Sequence, residues 1–182
     1  MRAALIQLTV SDSPAENLEV TLGHVRAAAA AGADLILTPE LTNGLSSSRD
    51  RQRALFRREE EDATLAALSV EAKIGGRWLL IGSLGLLTDE PDGRFANRSF
   101  LIAPDGGIAA RYDKIHMFDV SVSETEIYRE SEGYRPGARA VLATTPFARI
   151  GMTICYDLRF PALYRRLAQA GAEILTVPAA FY

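Results

Sequence analysis

An α/β fold of two halves, packed sheet to sheet with helices outside, is what this sequence predicts, and three observations point to it. Segments with apolar residues at helical spacing alternate with short apolar runs bounded by Gly or Pro. One such unit recurs: Ala31-Gly32-Ala33-Asp34-Leu35-Ile36-Leu37-Thr38-Pro39 matches Ala170-Gly171-Ala172-Glu173-Ile174-Leu175-Thr176-Val177-Pro178 position by position. Each copy reads as helix end, Gly cap, buried strand and proline. Finally, three residues suited to chemistry, Glu40, Lys114 and Cys155, each stand at the end of a predicted strand, and strand ends on one edge of a sheet converge in such folds.

Taken in order, Ala3 to Val10 reads as a first strand. Ser13, Pro14 and Glu16 mark a helix start, with Ser13 as N-cap and Pro14 at the first position. Leu18, Leu22, Val25, Ala28 and Ala29 give that helix an apolar stripe, and Gly32 ends it before the strand Asp34-Leu35-Ile36-Leu37. Asp50 to Lys73 reads as one long helix, with Arg57 to Asp62 as a solvated charged face. Trp78 to Leu87 is a candidate strand pair interrupted by Gly82 and Gly85. Asn97 to Ile102 and Ile108 to Tyr112 form a hairpin around Pro104-Asp105-Gly106-Gly107, delivering Lys114 at its end. Residues 117 to 140 read as irregular surface, of a length that is usually functional or disordered. Val141 to Thr144 and Phe147 to Ile154 make a second hairpin, ending at Cys155.

Composition narrows the function classes. A chain of 182 residues can bury the core of one domain, here taken as residues 1–182, and its net charge of −3 offers no field for nucleic acid or an anionic membrane. The single cysteine rules out an internal disulfide framework and a thiolate zinc cluster, and fits a reducing compartment. The apolar start is too short for a secretory signal and no stretch is long enough to cross a bilayer, so a cytoplasmic protein is expected. Gly82-Ser83-Leu84-Gly85 matches neither phosphate-loop pattern, which argues against a nucleotide-binding module.

Cys155 ends an apolar strand and precedes Leu163-Tyr164-Arg165-Arg166-Leu167-Ala168, which has helical spacing. A thiol at such a corner faces the amide N–H groups that open the next helix, a field that favours thiolate. The bland reading is a small side chain filling a strand end. A nucleophile needs a base. His24 lies within the first helix and reads as surface, whereas His116 shares a face with Lys114, leaving a Cys155–His116 dyad open. The other set is Glu40, Lys114 and Cys155. A carboxylate in a dry site can take the thiol proton, and an ammonium can stabilise the oxyanion that follows attack on a carbonyl.

Leu37-Thr38-Pro39-Glu40, Arg111-Tyr112-Asp113-Lys114-Ile115-His116-Met117-Phe118-Asp119 and Ile150-Gly151-Met152-Thr153-Ile154-Cys155-Tyr156-Asp157-Leu158-Arg159-Phe160-Pro161 resemble the motifs of the nitrilase superfamily of carbon–nitrogen hydrolases, in that family's order. The last segment, continued through Leu167-Ala168-Gln169-Ala170-Gly171-Ala172, resembles the branch of Nit-type amidases. The resemblance implies a four-layer αββα sandwich, dimeric or larger, without metal or cofactor. It implies Glu40 as general base, Lys114 as oxyanion-stabilising lysine and Cys155 as the nucleophile that forms a thioester, with the Tyr156 N–H completing an oxyanion hole. It also implies a second glutamate, Glu130 by its spacing to Pro136-Gly137, with Glu132 as rival. Arg159 is read as a carboxylate partner for substrate or as an ion-pair partner of Asp157 or Glu173. The implied activity is hydrolysis of a small linear amide, an ω-amide of a keto acid or deaminated glutathione, to carboxylate and ammonia. Alternatives are an N-carbamoyl amidohydrolase, a nitrilase, or a non-catalytic interaction fragment. The family's domain continues past the strand that ends near Pro178, so the second half is expected to be incomplete.

Overall fold

Helices placed between successive strands force parallel pairing, because the chain must be carried back before it can pair again. The computed structural model, which describes residues 1–180, follows that rule. Strand β1 (Ala3–Leu5), helix α1 (Pro14–Ala30) and strand β2 (Leu35–Leu37) form a parallel unit. After α2 (Arg49–Leu55) and α3 (Ala63–Gly75), β3 (Trp78–Leu86) joins β2 in parallel. A loop at residues 87–95 and a shorter turn at residues 103–107 then allow β4 (Ala96–Ile102) and β5 (Ile108–Asp113) to add antiparallel, completing a five-stranded sheet of order β1-β2-β3-β4-β5. A hairpin of β6 (Asp119–Ser121) and β7 (Ile127–Arg129) stands apart. The second sheet pairs β8 (Val141–Thr144) antiparallel with β9 (Arg149–Met152), and β10 (Ile174–Thr176), reached through α4 (Pro161–Gln169), parallel with β9.

Alternation along the central strands supplies both cores. Ile36, Leu79, Ile81, Phe100 and Ile102 face α1 and α3, meeting Val25, Leu65, Leu68 and Ala72. Their neighbours Leu35, Leu80 and Leu101, with Tyr112, face the second sheet and meet Ala143, Ile150, Met152 and Ile154. Helix α4 covers the far side of β9, where a Cβ on Gly151 would stand 3.2 Å from Leu167. The layers therefore run helix, sheet, sheet, helix, with three strands and one long helix in the second half. The recurring unit holds in three dimensions: Gly32 (φ +80°) and Gly171 (φ +95°) both end helices and lead into strands in parallel pairing.

Several elements differ from expectation. The first strand is only Ala3–Leu5, and Ser13 makes no side-chain cap. The stretch from Asp50 to Lys73 is two helices. Phe56 turns extended (ψ 150°) so that its ring packs edge-on to Phe95 at 5.2 Å, and a 3-10 turn at Glu59–Glu61 leads to a new start. Asp62 is not on a solvated face. It is 6% exposed and caps α3 by accepting from Leu65 N at 2.8 Å, and burial raises its proton affinity. Trp78–Leu86 is one strand with a register shift between Ile81 and Leu84. Gly85 spares the Phe56 ring, whose nearest carbon would lie 2.2 Å from an added Cβ. Residues 117–140 are not wholly irregular, since they hold the β6–β7 hairpin and a 3-10 turn at Glu130–Glu132. No helix among the described residues is long and apolar enough to cross a membrane.

Candidate active site

Two backbone corners define the site. Among the described residues, Leu41 (φ 52°) and Cys155 (φ 46°) are the non-glycine positions with positive φ, a conformation held only where the surroundings over-determine it. One corner aims a carboxylate and the other a thiol.

At the first corner, β2 ends at Leu37, and the turn that follows through Pro39 is tied to β3. Ser83 accepts from Leu41 N through Oγ (2.8 Å) and from Thr42 N through its carbonyl (2.9 Å), and Ser83 N donates to Pro39 O (3.2 Å). Gly82 N donates to Thr38 Oγ1 at 3.1 Å. This clamp requires glycine at 82: a Cβ there would lie 2.2 Å from Thr38 O and 2.3 Å from Pro39 O. Glu40 is thereby held 4% exposed. Its Oε1 accepts from Lys114 Nζ (2.9 Å) and Asn97 Nδ2 (2.9 Å), and its Oε2 from Ala180 N (2.9 Å).

Lys114 follows β5 directly, anchored by its N–H to Asn97 O (3.0 Å) and by its carbonyl to Gly137 N (2.8 Å). Its ammonium, 2% exposed, also reaches both oxygens of Glu130, at 3.0 and 2.9 Å. Burial alone would weaken its hold on the proton. The charges of Glu40 and Glu130 overcome that penalty and raise the proton affinity well above that of a free lysine, so it stays an ammonium. Glu130 is fixed in turn by Phe118 N, which donates to Oε2 at 2.6 Å. Of the two rival glutamates, Glu130 is the one brought in, while Glu132 is exposed.

At the second corner, Cys155 N donates to Pro178 O at 2.8 Å. The corner is braced by the fully buried Asp157, whose Oδ2 accepts from Ile154 N (2.9 Å) and Tyr112 Oη (2.6 Å) and whose Oδ1 accepts from His116 N (3.0 Å). His116 Nδ1 also lies 2.7 Å from Oδ1, and its ring stacks on Phe160 at 3.7 Å. His116 is thus engaged with Asp157, and the groups that act on the Cys155 thiol are Glu40 and Lys114 rather than His116, which favours the Glu40–Lys114–Cys155 set over a Cys155–His116 dyad. His24 is exposed, as expected of a surface residue.

The expected helix-end activation of the thiol is absent. Cys155 opens a 3-10 turn, Cys155–Arg159, and α4 starts only at Pro161. Burial, then the negative charge of Glu40, push the thiol up to about 12, against the opposing pull of Lys114. At neutral pH it is a protonated thiol beside a carboxylate. Tyr156 follows it in the turn, its ring edge-on to Phe118 at 5.0 Å. Arg159 is exposed and forms no ion pair among the described residues, since Asp157 engages His116 and Glu173 engages Arg149.

Sequence reasoning missed Asn97 and Asp157 as parts of this site. An asparagine inside a strand was the available signal for the first, since asparagine is disfavoured there.

A family model for carbon-nitrogen hydrolases matches residues 2–181. Among curated proteins, a deaminated glutathione amidase from Yersinia enterocolitica is 38% identical over 98% of this chain and 62% of its own length. The human omega-amidase NIT2 is 33% identical over 99% of this chain and 63% of its own. The chain thus spans about three fifths of the length of these relatives. Among solved structures, the C. elegans NitFhit protein superposes with a TM-score of 0.87 at 27% identity, covering 98% of this chain and 43% of that one. A mutant of the amidase from Nesterenkonia sp. AN1 superposes at 0.82 with 26% identity, covering 100% of this chain and 67% of that one, and shows the result of Michael addition of acrylamide at the active site cysteine.

Proposed function

The chain belongs to the carbon-nitrogen hydrolase family, and from that premise we propose that it hydrolyses a small linear amide through a thioester on Cys155. The observation that carries the reading is a half-buried thiol set against a carboxylate–ammonium pair, Glu40 and Lys114 at 2.9 Å, with Glu130 on the same ammonium.

Because the thiol holds its proton at neutral pH, attack must be coupled to proton removal. Glu40 takes the proton as sulfur adds to the amide carbon. The developing oxyanion meets a Lys114 N–H and the Tyr156 N–H. The two Glu130 oxygens can share one lysine N–H, leaving another for substrate. Glu40 passes its proton to the leaving nitrogen and ammonia departs, giving the thioester. Water, deprotonated by Glu40, then cleaves that ester to a carboxylate, and the proton returns to sulfur. Glu130 holds Lys114 in place and borders the attacking water.

For substrate, the named relatives support an amide that also carries a carboxylate, an ω-amide of a keto acid or deaminated glutathione, with the exposed Arg159 as the group that meets the carboxylate. A homodimer or larger assembly in the cytoplasm is part of the same proposal. The test is ammonia release from a panel of such amides by the parent and by Cys155→Ala and Glu40→Gln. Both variants should lose at least ~1,000-fold in kcat/KM, as expected when a nucleophile or its base is removed. Parent-rate turnover by Cys155→Ala would overturn the mechanism.

A further inference from the structure

Asn97 is fully buried on β4, opposite Gly85, and touches both halves of the ion pair: its side chain donates to Glu40 Oε1 at 2.9 Å and its carbonyl accepts from Lys114 N at 3.0 Å. Its own Oδ1 is buried without a hydrogen-bond partner among the described residues. An orphaned amide oxygen in a fully buried strand destabilises the fold, by ~1–3 kcal/mol, and calls for a reason. Turning the amide over would not relieve it, because Oδ1 would then face the Glu40 carboxylate. The orphan is the consequence of aiming Nδ2 at Glu40.

We propose that Asn97 is a positioning residue that, with Lys114, saturates Oε1 of Glu40 and so commits Oε2 to receive the proton of Cys155. The two oxygens are made unequal by their partners. Oε1 accepts from an ammonium and an amide, whereas among the described residues Oε2 accepts only from Ala180 N, whose segment also holds Cys155 through Pro178 O. A carboxylate pinned at one oxygen cannot rotate to offer the wrong one.

The inference rests on the amidase reading for its catalytic meaning, but the hold on Glu40 can be read without turnover. Two variants are used: Asn97→Leu, which removes donor and orphan together, and Asn97→Ala, which removes both and leaves the space open. Carboxyl-stretch difference infrared spectra, with Glu40→Gln identifying the Glu40 band, should show that band displaced in both variants, where Oε1 has lost a donor. With the amide substrate, kcat should fall ~10- to 100-fold in both variants with KM within ~3-fold, the split expected of a group that acts through the base. Asn97→Leu should unfold no more easily than the parent, which separates positioning from a purely structural role. An unmoved Glu40 band together with unchanged kcat would overturn the inference. A displaced band in a protein with no Cys155-dependent turnover would sustain Asn97's hold on Glu40 and sink the amidase reading instead.

Discussion

Replacing Lys114 with methionine isolates the electrostatics of the site from its chemistry. The ammonium lies 2.9 Å from Glu40 and 2.9 Å from Glu130, so at an effective dielectric of ~20 each pairing is worth ~6 kcal/mol before solvation is counted. Burying the ammonium consumes much of that gain, and the net effect of deleting one partner of such a buried group is ~3–5 kcal/mol. The variant leaves two carboxylates facing each other, so one of them must bind a proton. Its folded-state affinity for that proton then exceeds the unfolded value near 4.3. A carboxyl with raised affinity destabilises the folded state above that raised value and ceases to do so as pH falls through it. Lys114→Met should therefore be ~3–5 kcal/mol less stable than the parent at pH 8, with the deficit shrinking by at least half on acidification to pH 5. Urea unfolding followed by circular dichroism at several pH values measures this. A deficit below ~1 kcal/mol at pH 8, or one that does not change with pH, would refute the buried carboxylate–ammonium–carboxylate arrangement, because an exposed pair behaves that way.

Two further perturbations address the frame around the site. Gly82→Ala places a methyl against backbone carbonyls at 2.2 and 2.3 Å, where no side chain can move aside. It should cost at least ~3 kcal/mol in chemical denaturation, or else displace Glu40 and abolish turnover, and a stable, active variant would contradict the clamp. Glu59 bridges Arg98 (2.8 Å) and Arg111 (2.7 Å) at the rim. Burial opposes its charge, but the two guanidinium groups outweigh it and its proton affinity is lowered, so it stabilises the fold above the unfolded carboxyl value and loses that effect as pH falls through its folded value. Glu59→Gln should cost no more than ~1 kcal/mol at pH 7, given its partial exposure, with the difference from the parent vanishing toward pH 3 in thermal unfolding. A difference that persists at pH 3 would assign the loss to packing.

What could be read along the chain was whatever repeats or clusters within it. The two-layer halves were legible because the helix–Gly–strand–Pro unit occurs twice, and Gly32 and Gly171 take the left-handed turn that unit requires. Glu40, Lys114 and Cys155 were legible because each sits at a strand end inside a motif. Spacing within the family resemblance favoured Glu130 but left Glu132 as its rival, and only the packing of Glu130 against Lys114 separates them. Composition and periodicity could not see the break at Phe56, since a ring turned into a distant aromatic cluster overrides the helical propensity of its neighbours.

The tertiary structure alone decided how the site is held. Asn97 reaches Glu40 across 57 positions, Ala180 across 140, and Asp157 draws in Tyr112 across 45. Bonds between residues so far apart leave no local period in the sequence. The state of the thiol was likewise beyond local reading, which placed Cys155 at a helix start and expected an activated thiolate. Burial and the charge of Glu40, both consequences of packing, hold it protonated instead. The sequence by itself determined which groups are present and on which strand ends. Folding determined their protonation and which oxygen faces which donor, because solvation and distance exist only once the two sheets have closed on one another.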